Sequence, residues 1–311
     1  MRRTIAITAF CLLGLSAVQA QSAPRADDPC AAGGAVEGSS LTVHYLANEG
    51  VMVEAGDRKV LVDALFGDGI AGYAAVPERL RAGLESGSGK WDGVDLLLAT
   101  HYHGDHFDPE AVGRYLASEP ETLFVSTPQA VDRLRRTLGP SSDLLDRSRA
   151  ALPAEGETDA IDRGGVAVEV LHLHHGRDRR PPVENLGFVV TIDNLSFLHF
   201  GDTEAKLEEF EPYLELLEGT DVALLPFWFL ASEWRAAMVR DRIRPRAIVV
   251  LHLPSPDAGP GYFGRWGSYD ALLSTIRAAF PEAIVPAAAG DRWELPAPCP
   301  PSGVDEATGV N

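Results

Sequence analysis

Three short runs of alternating apolar and polar residues open the regular part of the chain, at 41–46, 51–55 and 59–65. The turn-forming tripeptides "NEG" and "GDR" separate them. A period of two punctuated in this way predicts a meander of antiparallel strands. The period then lengthens. Apolar spacing over 77–85 suits a helix, and Asp108 followed by Pro109 is a helix start, with Val112, Tyr115 and Leu116 on one face. Thr127 and Pro128 repeat that start, Gly139 closes the helix, and 122–126 between the two helices reads as a buried strand.

The second half restarts with strands. Residues 166–173 alternate, and 186–193 and 195–200 flank Asn194 as a hairpin. Helix is predicted over 204–217, strand over 221–227, helix over 233–243, strand over 247–253 and helix over 269–280. A last strand is expected near 283–286, before a Pro-rich tail, 296–311. Both halves pass from strands into alternating strands and helices. Two sheets packed face to face, with helices outside each, would bury all these faces. The expected architecture is therefore α/β, a four-layer αββα sandwich of two similar halves, as one domain over 41–295.

The first residues obey a different logic. Arg2 and Arg3 precede an apolar run, 5–15, and Val18 and Ala20 stand where a signal peptidase reads small residues. Residues 1–20 are expected to be a cleaved secretory signal and 21–40 a flexible leader. No later stretch is long and apolar enough to span a bilayer. The expected location is periplasmic or extracellular, without stable membrane insertion. Signal removal leaves Cys30 and Cys299, which an oxidising compartment would allow to pair. It also takes the formal charge from −18 to −20, since Arg2 and Arg3 depart with no acid. Such a surface repels phosphate backbones, so a small molecule is a better partner than nucleic acid.

Candidate chemistry begins where an apolar run, 94–99, leads into "THYHGDHFDP". His101 and His103 alternate around Tyr102 and can project toward one ion. Gly104 permits a tight turn, after which Asp105 and His106 can face a second. Imidazole with carboxylate suits zinc, manganese or iron. More donors recur at predicted strand ends: His172, His174 and His175, then Asp202 in "HFGDTE", then His252 in "VVLHLP". Of the nine histidines only His44 lies away from these four places, and it reads as a strand residue rather than a ligand.

The order HxHxDH, histidine, aspartate in "GD", late histidine resembles the metallo-β-lactamase fold hydrolases. "ATHYHGDHFDP", "LHFGDTE" and the leading "GVMVEAGDRKVLVDALF" are similar to the branch containing ascorbate-6-phosphate lactonase and its relatives. The resemblance covers nearly the whole mature chain. It implies the metallo-β-lactamase fold with its metal site at strand ends between the two halves. It assigns His101, His103 and His175 to a first ion, with His174 as the alternative third ligand. It assigns Asp105, His106 and His252 to a second ion, and Asp202 to a bridge between them. Two divalent cations are implied, zinc foremost, with manganese or iron as alternatives. His172 and His199 fall to strand or supporting positions. Asp63 either orients a ligand histidine or caps a turn.

Two cations sharing a water depress its pKa toward neutrality and polarise a substrate oxygen. Asp105 is then also the residue expected to carry a proton for the leaving group. Relatives with a bridging aspartate include lactonases, thioesterases and phosphodiesterases, whereas true metallo-β-lactamases lack one. The leading expectation is an exported metal-dependent hydrolase of a carboxylic ester or lactone. A phosphodiesterase with the same site and a non-catalytic metal-binding module are the alternatives. For substrate contacts, Arg177, Arg179 and Arg180 follow His175 as an anion-binding or simply solvated loop. Tyr262, Phe263 and Trp266, set among glycines, are expected to form an aromatic rim, and residues 227–229 either a rim or core.

Overall fold

In the computed structural model of the protein, residues 40–176 and 182–296 are described. The predicted signal, Cys30, Cys299 and the arginines at 177, 179 and 180 lie outside those residues. Strands β1 (Leu41–Ala47), β2 (Gly50–Ala55) and β3 (Arg58–Val62) form the expected antiparallel meander. Three parallel strands extend it: β4 (Leu96–Leu98), β5 (Leu123–Ser126) and β6 (Ser148–Ala150). Each parallel step needs a crossover, and helices α1 (Glu78–Glu85), α2 (Pro109–Ser118) and α3 (Pro128–Leu138) supply them. The side chain of Asp108 accepts from the Glu110 N–H at the start of α2, and that of Thr127 from the Ala130 N–H at the start of α3.

The second sheet repeats the plan. Strands β7 (Thr158–Arg163), β8 (Val166–His172), β9 (Leu186–Ile192) and β10 (Leu195–His199) pair antiparallel. Helices α4 (Leu207–Phe210) and α5 (Leu214–Leu217) lead to parallel β11 (Val222–Pro226). Helices α6 (Phe227–Ala231) and α7 (Glu233–Met238) then precede parallel β12 (Ala247–Leu251), and α8 (Tyr269–Ala279) follows it. Finally β13 (Arg292–Leu295) returns to pair with β1. The sheet orders are β13-β1-β2-β3-β4-β5-β6 and β12-β11-β10-β9-β8-β7.

Burial follows the pleat. Val60 and Val62 point into the core between the sheets, where they join Val168, Phe188 and Leu224 of the second sheet. Leu61, between them, joins Leu84, Val112 and Leu134 under the helices outside the first sheet. On the other outer face Leu198 and Leu225 pack with Phe210, Val239 and Ile276. Three cores separated by two sheets are the αββα layering that the alternating patterns predict.

Three elements differ from expectation. The helix expected over 204–217 is broken into α4, a 3-10 turn Glu211–Tyr213 and α5, because Pro212 cannot continue an α-helical ladder. The helix over 233–243 is α only to Met238 and continues in π geometry through Val239–Ile243. Residues 283–286 form no strand: Ile284 makes an isolated bridge to Val249, and the closing strand is β13. The short β6, the exposed β7 and helix α6 have no counterpart in the sequence reading.

Candidate metal centre

The ends of adjacent strands converge on one place. Asp63 follows β3, His101 lies just beyond β4, His175 beyond β8, Asp202 beyond β10, and His252 directly after β12. Two of these residues bend the chain sharply. Asp63 has φ 46° and His252 φ 52°, a left-handed conformation that non-glycine residues seldom adopt. Backbone bonds hold both turns: the Asp63 N–H donates to Leu98 O at 3.0 Å and the His252 N–H to Asn48 O at 3.2 Å. Strain of this kind persists where surrounding structure over-determines it, and here it aims two side chains at the cluster.

Two donor sets result. In the first, Nδ1 of His103 lies 2.9 Å from Nε2 of His101 and 3.2 Å from Nε2 of His175. Oδ2 of Asp202 stands 3.7 Å from His175 and 4.0 Å from His101. In the second, Oδ1 of Asp202 lies 3.1 Å from Nε2 of His252 and 3.3 Å from Nε2 of His106. Oδ2 of Asp105 is 3.6 Å from both of those nitrogens. Asp202 thus turns one carboxylate oxygen toward each set. Ligand atoms about 2.1 Å from an ion at the centre of a tetrahedron stand about 3.4 Å apart, and the donor pairs here, 2.9 to 4.0 Å apart, bracket that value.

The tautomers are set from behind. Thr100 donates its N–H and its hydroxyl to the Asp63 carboxylate, at 2.7 and 2.6 Å. With its proton spent there, Thr100 Oγ1 can only accept from Nδ1–H of His101, 3.1 Å away. Nδ1 of His106 lies 2.7 Å from the same carboxylate. Asp63 therefore holds a proton on the rear nitrogen of both rings and turns each Nε2 forward. His199 has a different duty: its Nδ1 accepts from the Gly201 N–H, so Nε2–H donates to the carbonyl of Glu49 at 3.1 Å. A Cβ on Gly201 would come within 2.6 Å of Thr100, so this glycine leaves room for the relay behind His101.

The donor set fits a cation. Nε2 of His106, Nε2 of His252 and Oδ1 of Asp202 are buried and make no hydrogen bond among the described residues. Burial alone would favour neutral rings. The Asp202 carboxylate overcomes it, holding His106 well above the usual histidine pKa and raising His252 to about 10. Burial also opposes ionisation of Asp202, yet His252 and His106 keep its carboxyl well below the ordinary range. Burial and the neighbouring His106 push His101 far down, leaving that ring a neutral donor. So dense a cluster of forward-facing imidazole nitrogens and carboxylates can bind metal once the His106 and His252 rings give up a proton.

The other expected residues separate. His174 points away from the centre, its Nδ1 2.6 Å from Glu209 and its Nε2 3.2 Å from Glu155. His172 stacks on it, and its Nδ1 donates to the Pro153 carbonyl. His44 pairs with Glu54. Tyr262 is exposed and meets Tyr73 edge-on, with ring centroids 5.9 Å apart. Phe263 is a correction to the expected rim: it is 3% exposed and belongs to the core outside the second sheet. Trp266 packs against that same core and against Phe227, so both rings anchor the glycine-rich segment. Of 227–229, Phe227 and Phe229 are core, whereas Trp228 lines the cavity over the metal centre.

Several contributors escaped the sequence reading. Asn48 donates to Asp105 Oδ2 at 3.2 Å, and the wholly buried Glu49 stands near Asp63 and His106. The "NEG" motif signals a turn, and nothing in it marks these side chains as buried. Ile70, Tyr73, Glu204 and Arg235 line the cavity from loops and a short helix with no motif of their own.

Comparison with known proteins shows the family and the fold. Residues 58–258 match the model of the beta-lactamase superfamily domain. A metal-dependent hydrolase of Pyrococcus horikoshii is 28% identical over 234 residues, covering 72% of this chain and 91% of the relative. Among solved structures, the metallo-beta-lactamase fold protein YhfI of Bacillus subtilis superposes with a TM-score of 0.56 at 16% identity, covering 82% of this chain and 99% of that one. An isothiocyanate hydrolase from Delia radicum gut bacteria superposes with a TM-score of 0.55 at 16% identity, over 82% of this chain and 100% of that one. With its family model matched across both halves of the sandwich, the chain belongs to the beta-lactamase superfamily domain family and has the metallo-β-lactamase fold.

Proposed function

We propose that the protein is an exported metal-dependent hydrolase that cleaves a carboxylic ester or lactone of a small molecule, using two divalent cations, zinc foremost. The observation that carries this reading is the shared carboxylate, with Oδ1 of Asp202 turned to His106 and His252 and Oδ2 to His101 and His175. Similarity to a metal-dependent hydrolase over most of the chain supports it. Divalent cations held by these residues would supply an acidified water and polarise the scissile carbonyl. Asp63 keeps His101 and His106 in the tautomer that faces them. Burial opposes ionisation of Asp105, but its contact with His252 and the charge of His106 hold its carboxyl below the usual range. An ionised Asp105 on the cavity wall can take the proton that the attacking water loses and give it to the alkoxide oxygen as the ester C–O bond breaks. Ile70, Tyr73 and Trp228 give an acyl chain or ring an apolar wall.

Export rests on the charged and apolar pattern of residues 1–20. No helix among the described residues is long and apolar enough to cross a membrane. Hydrolysis assays on the metal-replete protein test the reaction, with a lactone, an aryl ester, a thioester, a β-lactam and a phosphodiester as substrates. Turnover confined to carboxylic esters and abolished by Asp105→Ala is the expected result. Turnover of the phosphodiester alone would overturn the ester assignment.

A further inference from the structure

The cavity over the metal centre has a volume of about 790 Å³. Its lining divides by chemistry into metal-centre side chains, the apolar Ile70, the aromatic Tyr73 and Trp228, and the charged Glu204 and Arg235. The aromatic part adjoins the metal centre directly, since Tyr73 and Trp228 pack on the His252 ring at 4.5 and 5.1 Å. Trp228 is fixed there by its indole N–H, which donates to the Thr203 carbonyl. Arg235 is the one lysine or arginine among the described residues of the lining.

Its surroundings hold the guanidinium and leave part of its fork unused. The group lies 4.5 Å from the Trp234 ring centre and 5.6 Å from that of Phe229. Such aromatic faces attract a guanidinium and restrict it. One Nη donates to the Glu204 carbonyl across a long 3.4 Å, and Nε is buried without a partner among the described residues. Its contact with Glu204 is to the backbone carbonyl, and the Glu204 carboxylate acts on it only through its charge. Burial lowers its pKa and the charge of Glu204 works the other way, but a guanidinium stays protonated at any working pH. Within a chain of formal charge −18, a half-buried arginine on a cavity wall, with Glu204 nearby but no described carboxylate hydrogen-bonded to its fork, is set for an anion from solution. Its planar fork suits carboxylate or phosphate.

We propose that Arg235 recognises an anionic group of the substrate, an inference that rests on the hydrolase reading above. The substrate then carries a carboxylate or phosphate besides the bond cleaved, and Tyr73 and Trp228 offer the part between them an aromatic surface. Binding by the metal-replete protein tests this without requiring turnover. Glutarate, with one carboxylate for the metals and one for Arg235, is expected to bind about tenfold or more tighter than butyrate. The ratio should fall to near one in Arg235→Gln and lie between in Arg235→Lys, which keeps the charge and loses the fork. Replacing glutarate by 4-phosphonobutyrate shows whether carboxylate or phosphate is preferred. A ratio near one in the wild type, or one unchanged in both variants, would overturn the assignment. Loss of ester turnover with the ratio intact would instead refute the reaction and leave the anion site standing.

Discussion

The carboxylate of Asp63 lies 2.7 Å from Nδ1 of His106 and, through Thr100, also governs His101. One acid thereby orients one ring in each donor set. Asp63→Asn removes the charge while keeping a residue that tolerates the left-handed backbone at φ 46°. The variant should fold, and its metal affinity should drop by about 10–100-fold, as found for partners behind metal ligands. Chelator competition measures this. Wild-type affinity in the variant would show that the contact only caps the turn.

The bridging geometry of Asp202 gives a sharper expectation. Asp202→Ala strips one oxygen from each donor set, so metal analysis should find both ions depleted. His252→Ala removes a ligand from the second set alone and should weaken chiefly that ion. Two ions retained at full occupancy in Asp202→Ala would refute the bridge.

The sequence left the choice between His174 and His175 to resemblance, and the structure separates them by contacts. His175 faces His103 at 3.2 Å, whereas His174 is spent on Glu209 and Glu155. His175→Ala should lose metal from the first set, and His174→Ala should retain it at the wild-type stoichiometry. Metal loss in His174→Ala alone would reverse the assignment.

What could be read in advance follows from periodicity. Strands buried on both faces, such as β9, and helices opened by Asp108 or Thr127 declare themselves through local pattern. The metal cluster was legible because histidine and aspartate are conspicuous at strand ends. Strand β13 was not, because its stability comes from pairing with β1 some 250 residues earlier. Phe263 and Trp266 misled for a related reason. Neighbouring glycines suggest a loose rim, but only tertiary packing decides that the rings turn inward. Arg235 carries no motif at all, and its place in the cavity depends on where α7 docks.

The charges of the cluster make metal binding a proton exchange. In apo-protein, the Asp202 carboxylate holds protons on His106 and His252, the latter up to about 10. Metal ligation needs neutral rings, so loading at neutral pH should release protons, and affinity should fall on acidification. Stability carries the matching sign. A pKa raised in the folded state stabilises fully below the unfolded value of 6.5 and ceases to stabilise as pH climbs through the folded value. Apo-protein should therefore lose stability between pH 6.5 and about 10, while the loaded protein, whose rings are already neutral, lacks this loss. Thermal melts of chelator-stripped and metal-replete protein across that window provide the measurement. The gap between their melting temperatures should widen as pH rises. A constant gap, with no protons released in calorimetry across buffers of different ionisation enthalpy, would show that His106 and His252 are already neutral in apo-protein.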